Sequence, residues 1–237
     1  VGKLTKDNQA SCSILATILG ENPWKTREEQ LRDCISANDG NMISFEQTGI
    51  MRMGDILENP ILLEARKRLG LDHCNVNIDH SISHPTLPLQ GSLDGLIYKD
   101  KSPEPSLTIK ENINEGIYVM NDAKEITVEG EGVMECKATS VYPEDVPPAY
   151  RGVTQMQGLM DCLGASYGVL VILYQSVHLR IFVYPRNEEM VANIHTAVID
   201  FDRRIQEKDY YPPENSKDAS IVYPNPNDEH LDMKEEA

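Results

Sequence analysis

A chain of 237 residues, 40% hydrophobic and 25% charged, has apolar material for one large globular domain, and no stretch of it is apolar enough to span a bilayer. The five cysteines, Cys12, Cys34, Cys74, Cys136 and Cys162, are scattered without a Cys-x-x-Cys pair, which argues against a disulfide framework or a zinc or iron–sulfur site and for small buried hydrophobes. A net charge of -16 excludes a broadly basic surface, so any DNA contact falls to a confined lining plus metal ions.

The chain opens on Val1-Gly2-Lys3-Leu4-Thr5-Lys6, which has no secretory pattern, and a cytoplasmic protein is expected. Asn8 to Leu19 carries a helical stripe of Ile14, Leu15, Ile18 and Leu19, with Gly20 placed to end it. Asn22-Pro23-Trp24-Lys25-Thr26 reads as a turn into a second helix, with Thr26 at its start and Glu28 and Glu29 in its first turn. Trp24 is expected to anchor that corner by core packing rather than by stacking on a substrate. Thr48 to Leu69 is a further helix beginning in earnest near Met53, with Pro60 either starting a new helix or kinking this one. Glu58 precedes the break on an otherwise apolar stretch, as a solvated position or one facing a cleft. Cys74 to Ile82 alternates as a strand paired with Ser92 to Tyr98. His73, His80 and His84 fall close together in sequence but lack the helical or strand spacing of a zinc site.

The polar stretch 99–131 reads as an insertion carrying a hairpin, Gly116 to Met120 and Glu125 to Val128 across Asn121-Asp122. Val133 to Ala138 resumes the core sheet. A helix from Tyr150 through Cys162 presents Gln155, Met156, Leu159, Met160 and Leu163 on one face, with Gln157 and Arg151 round the side. Tyr167 to Tyr174 and His178 to Tyr184 form a hairpin, and Asn187 caps an amphipathic helix through Ile205. Residues 206–237 read as an acidic, partly disordered tail beyond a domain at 1–205. This order predicts an α/β (α+β) fold, a mixed sheet flanked by helices.

Two of these strands concentrate the chemistry. Asp94 stands in Gly91-Ser92-Leu93-Asp94-Gly95, and Glu135 and Lys137, two apart on the next core strand, share one face while Cys136 takes the other. Two carboxylates suit a hard divalent cation such as Mg²⁺, and an ammonium group beside them can orient water or stabilise charge developing at phosphorus. The plainer readings are an Asp-Gly turn and a solvated strand edge.

Ser13 through Gly20 followed by Asn22-Pro23-Trp24, then Met53-Gly54-Asp55-Ile56-Leu57-Glu58, Gly91 to Gly95, Glu135-Cys136-Lys137 and the helix bearing Gln155 and Gln157 stand in a familiar order. Together they resemble the PD-(D/E)XK nuclease superfamily, in the branch of lambda exonuclease and the YqaJ-type viral recombinases, over roughly Lys6 to Ile205. The resemblance implies a restriction-endonuclease-like core and two-metal hydrolysis with Mg²⁺ or Mn²⁺. Asp94, Glu135, Glu58 and the Cys136 backbone carbonyl would be ligands, Lys137 would activate or orient water, and Gln155 or Gln157 would help position it. Ser13, Ser92 and Lys6 resemble contacts to a terminal 5′ phosphate. The implied activity is 5′-to-3′ digestion of double-stranded DNA ends by a trimeric ring that hands single strands to an annealing protein for recombination.

The sequence departs from the family's pattern at Ile14, where an acid is common, and near Pro143, where a basic residue is expected and Arg151 is the first arginine available. The competing readings are a structure-specific or restriction-type endonuclease on the same scaffold, and a non-catalytic acidic DNA mimic or partner-binding module.

Overall fold

The continuous apolar run Tyr167–Tyr174 is buried along nearly its whole length and lies inside a six-stranded sheet covered on both faces. The computed structural model describes residues 4–41, 48–71, 74–76, 78, 80–98, 107–213 and 219, so the expectations for His73 and for most of the tail lie outside the described residues. In chain order the elements are β1 (Ala10–Ser11), a 3-10 turn (Cys12–Ile14), α1 (Leu15–Ile18), α2 (Arg27–Asn38), α3 (Gly49–Leu69), β2 (Cys74–Val76), β3 (Ser81–Ser83), β4 (Leu89–Ser92) and β5 (Gly95–Ile97). There follow β6 (Leu107–Lys110), β7 (Ile117–Val119), β8 (Glu125–Val128), β9 (Gly132–Thr139), α4 (Val153–Leu163), β10 (Tyr167–Tyr174), β11 (His178–Pro185) and α5 (Glu188–Glu207).

The main sheet runs β2-β5-β9-β10-β11-β7. β9 and β10 are parallel at its centre, with Glu135 level with Leu170 and Lys137 level with Ile172, while β10 and β11 form the expected antiparallel hairpin. Alternation divides the core: Leu170, Ile172 and Tyr174 pack with Met156, Val198 and Phe201, whereas Val169 and Val171 pack with Leu62, Ala65 and Leu69. Helices α4 and α5 therefore cover one face and α3 the other. On β9, Val133 belongs to the first layer and Met134 and Cys136 to the second, which leaves Glu135 and Lys137 directed toward α4.

Local chemistry starts the helices where expected. Thr26 and Glu29 form a reciprocal capping box at α2, and Asn187 Oδ1 accepts the Met190 N–H at 3.0 Å at α5. Helix α3 begins earlier than expected because Thr48 Oγ1 accepts from Met51 N at 3.3 Å.

Four expectations are corrected. The segment from Asn8 is not helical at its start, because Ala10 and Ser11 pair in parallel with Leu89 and Gln90 of β4. Of the two alternatives at Pro60, a new helix is overturned, because α3 runs through it. The turns beyond it bury Ile61, Leu62, Ala65 and Leu69, and at about 1.5–3 kcal/mol for each large apolar side chain that burial outweighs the roughly 3 kcal/mol penalty of an interior proline. The strand foreseen over Cys74 to Ile82 is two strands in two sheets, β2 pairing with β5 and β3 with β4. Asn121-Asp122 does not join a hairpin: β7 pairs in parallel with β11, and β8 in antiparallel with β6. Val119 is fully buried and Tyr118 stacks on Phe182 with ring centroids 5.2 Å apart, so burial at the sheet edge wins over local pairing. The chain just beyond α5 packs on the body at Tyr211, whose N–H donates to the buried Glu28 Oε2 at 2.9 Å and whose ring lies beside Arg204.

Candidate active site

Strand β5 stops pairing with β9 at Gly95, level with Met134. One residue earlier, the Asp94 carboxylate replaces the missing strand: its Oδ2 accepts the N–H of Cys136 at 2.8 Å. The N–H and C=O of one strand residue leave on the same side, so the Cys136 carbonyl also faces the Asp94 edge. Glu135 is 1% exposed, and its Oε1 accepts from Lys137 Nζ at 2.6 Å. Lys137 Nζ also donates to Gln155 Oε1 at 3.0 Å, joining β9 to the first turn of α4. That turn depends on Gly152, whose φ of +106° takes the chain into α4 and whose absent side chain would meet Leu170 Cδ1 at 2.8 Å.

These groups form one wall of a cleft of about 1030 Å³. The opposite wall is α3, where Glu58 and Asp55, three residues apart, share a face. Ser13 and Ser92 also line the cleft, with Ser13 Oγ 3.0 Å from Ser11 Oγ. They are brought together because Gly91 lets β4 approach Leu159 and Cys12 more closely than any side chain would allow.

The charges here are strained against one another. Burial, then repulsion from Asp94, pushes the Glu135 carboxyl up to about 8 despite Lys137. Burial, Asp94 and Asp55 push Glu58 up to about 7, and burial raises Asp94 against the opposing pull of Lys137. Burial disfavours the Lys137 charge, but Glu135 and Asp94 overcome this and hold the ammonium group above its ordinary range. Among the described residues lining the cleft, Lys137 is the only basic one. The residues fit a divalent cation on one observation in particular: Glu135 Oε2 is buried with no hydrogen-bond donor among the described residues, while carboxylates crowd around it.

The structure thus brings Asp94, Glu135, Lys137, Glu58, Cys136, Gln155, Ser13 and Ser92 to one cleft. It excludes Gln157, which is buried and spent on scaffold: its Nε2 donates to Pro185 O at 3.1 Å and its Oε1 accepts from Asn187 N at 2.9 Å. Arg151 is engaged elsewhere too, with Nη2 donating to Glu144 Oε1 at 3.2 Å and Nε 2.7 Å from Glu144 Oε2. Lys6 is not among the cleft residues; its carbonyl accepts from Gln90 Nε2 at 3.0 Å and its side chain is exposed. Asp55 was not singled out by sequence, although its spacing from Glu58 signals it.

The two glutamines separate cleanly by experiment. Gln157→Ala leaves a buried carbonyl and N–H unpaired and is expected to cost about 1–3 kcal/mol of stability with turnover intact. Gln155→Ala is expected to leave stability nearly unchanged and to slow turnover by roughly ten- to a hundredfold, by freeing the Lys137 ammonium group. Thermal unfolding and single-turnover rates of both variants check this.

A second polar cluster lies at the far end of α4, where His84, Asp161 and His195 bring ligand-type atoms within 4.8 Å of one another. Asp161 Oδ2 lies 3.2 Å from His84 Nε2 and 2.7 Å from His195 Nε2, and Oδ1 accepts from Arg186 Nη2 at 2.5 Å. His84 Nδ1 accepts the N–H groups of Thr86 at 3.2 Å and Leu87 at 2.9 Å. Its proton is therefore on Nε2, which has no lone pair for a metal. The cluster is a closed hydrogen-bonded clamp, and the metal-ligand character belongs to the carboxylate cleft.

No family model and no curated protein matches this chain. In fold it is similar to the structure of LHK-Exo in complex with dAMP, at 17% identity over 86% of this chain and 90% of that one with a TM-score of 0.59. An alkaline exonuclease (LHK-Exo) from Laribacter hongkongensis matches with the same identity, coverage and score. A phage related exonuclease from Haemophilus somnus 129PT matches at 14% identity over 84% of this chain and 96% of that one, with a TM-score of 0.52. At these identities the likeness is one of fold, a mixed sheet flanked by helices.

Proposed function

We propose that this protein is a metal-dependent deoxyribonuclease of the phage exonuclease type within the PD-(D/E)XK superfamily, hydrolysing phosphodiester bonds from the ends of double-stranded DNA. The observation that carries the reading is the convergence of Asp94, Glu135 and Lys137 at one point, with Oε2 of Glu135 buried and unsatisfied. The shared fold with two exonucleases supports it.

In this reading Asp94, Glu135, Glu58 and the Cys136 carbonyl would hold Mg²⁺ or Mn²⁺, two ions in all. The metal would supply Lewis-acid polarisation of the phosphoryl oxygen and a lowered pKa for its water. Lys137, fixed between Glu135 Oε1 and Gln155 Oε1, stabilises the charge that grows on phosphorus and orients the attacking water. The crowded carboxylates Glu135 and Asp94 hold the ammonium group above its ordinary range against the cost of its burial. In the same reading Ser13 and Ser92, which line the cleft, hold the terminal 5′ phosphate. With a net charge of -16 and Lys137 the only basic residue among the described residues of the lining, the outer surface offers little attraction to the duplex. The 5′-to-3′ direction, a trimeric ring around the duplex, the single strands made for recombination and an annealing partner complete the proposal.

Linear duplex labelled separately at its 5′ and 3′ ends tests it. The expected result is Mg²⁺-dependent release of 5′ label as mononucleotide, with a covalently closed circle left intact. Nicking of the closed circle at a comparable rate would assign an endonuclease instead.

A further inference from the structure

Trp24 is the only tryptophan in the chain, and the structure corrects its expected place in the core: it is 67% exposed. A large aromatic at the surface is ordinary when the loop under it is loose, but this loop is built. The Trp24 N–H donates to Asn22 Oδ1 at 2.9 Å, and Asn22 Nδ2 donates to Thr17 Oγ1 at 2.8 Å. Thr26, two residues on, caps α2. The indole meets Tyr150 edge to face, with ring centroids 5.2 Å apart and an interplanar angle of 90°.

Two independent ties place this pair beside the cleft. Thr154 Oγ1 donates to Glu21 Oε2 at 2.7 Å, pinning the loop to the residue next to Gln155. Arg151, whose guanidinium lies 5.3 Å from the Tyr150 ring centre, reaches Thr139 Oγ1 at 3.4 Å, and Thr139 lines the cleft on the same strand as Lys137. Thr139 is two strand positions from Lys137, about 7 Å.

The neighbouring cations are already paired, Lys25 with Asp33 at 2.5 Å and Arg151 with Glu144, so this rim offers aromatic surface more than charge. Exposed π surface without a strong field suits an unpaired base, which stacks whatever its identity, better than a phosphate or an intact duplex whose base faces are covered. We propose that Trp24, supported by Tyr150, is a stacking platform for a base of single-stranded DNA within a few nucleotides of the cleft. The ligand class rests on the nuclease reading above.

Because Trp24 is the sole tryptophan, intrinsic tryptophan fluorescence reports on it alone. In EDTA, where no hydrolysis occurs, a thymidine oligonucleotide is titrated into the full chain, and the affinity of a dye-labelled oligonucleotide is measured for Trp24→Ala and Trp24→Phe. The proposal expects saturable quenching, roughly tenfold weaker binding by Trp24→Ala and recovery in Trp24→Phe. Thermal unfolding of Trp24→Ala verifies folding. If the wild type hydrolyses linear duplex while Trp24 fluorescence is unmoved and Trp24→Ala binds as well as wild type, the platform is wrong and the nuclease reading stands. If Trp24 is quenched and its removal weakens binding but no hydrolysis occurs with any divalent metal, the platform stands and the nuclease reading falls. Absence of both binding and hydrolysis overturns both.

Discussion

Lys137→Ala is expected to lower metal-dependent nucleotide release from linear duplex by at least about 10²–10³-fold, with far-ultraviolet circular dichroism unchanged. The side chain is the only cation on the described cleft lining, and it meets both Glu135 and Gln155. Its loss removes the positive charge that stabilises negative charge growing at phosphorus and releases Gln155 from its partner. The fold survives because Lys137 is partly exposed on the cleft floor and Glu135 takes up a proton when its counter-charge goes. Lys137→Arg is not expected to rescue, since a planar fork cannot reproduce a point charge shared between two oxygens at 2.6 and 3.0 Å. Wild-type rates in Lys137→Ala at saturating Mg²⁺ would remove the residue from the mechanism.

Glu135→Gln is expected to abolish activity while stabilising the metal-free protein. Oε1 of the glutamine keeps the contact with Lys137, and the new amide donor replaces an unsatisfied buried carboxylate oxygen beside Asp94. Relief of one such group is worth about 1–3 kcal/mol. In a chain of this size that is roughly 2–4 °C in Tm for each kcal/mol. The gain depends on pH. Glu135 ionises near 4.5 in the ordinary case and at about 8 in the fold, so between these values the native state holds a proton that the unfolded chain has released. Stability of the metal-free wild type is therefore fullest below about pH 4.5 as far as this group goes, and it is lost as pH rises through about 8. Glu58, pushed to about 7, adds a decline of the same sign. Thermal unfolding at pH 6 and pH 8 in EDTA is expected to show a smaller drop in Glu135→Gln than in wild type, and Mg²⁺ is expected to restore only the wild type at pH 8. Equal drops in the two proteins would mean that Glu135 is not the strained group.

Much of the fold is legible where the determining interaction is local. The Thr26 box, the Asn187 cap and the β10–β11 hairpin all depend on neighbours in sequence, and each is found where the residues place it. The Glu135 and Lys137 pair is legible for the same reason, since alternation alone puts them on one face. What depends on distant partners is not. Nothing in Gly116 to Glu125 says that β7 leaves its neighbour for β11, because the decision belongs to the burial of Val119 and the stacking of Tyr118 on Phe182. Gln155 and Gln157 differ by two helical positions, and only the arrival of Lys137 from one side and Pro185 from the other assigns their roles. Trp24 illustrates the converse: hydrophobicity predicts burial, yet the residue is exposed on a loop whose backbone is fixed by a bond to Asn22 that no pattern of apolar spacing encodes.

Helix α4 behaves as a beam clamped at both ends. Thr154 fastens its first turn to Glu21, Asp161 fastens its last turn to Arg186 and His195, and Gln157 ties its middle to the β11–α5 junction. A beam held this way does not fray from its first turn to expose Gln155 while the rest stays folded, because that turn is tied to Glu21 separately from the ties that Gln157 and Asp161 make to the β11–α5 junction and α5. The subglobal openings that loosen loops thus leave the Lys137 pocket in register, and its alignment is lost only when the whole layer comes off the sheet.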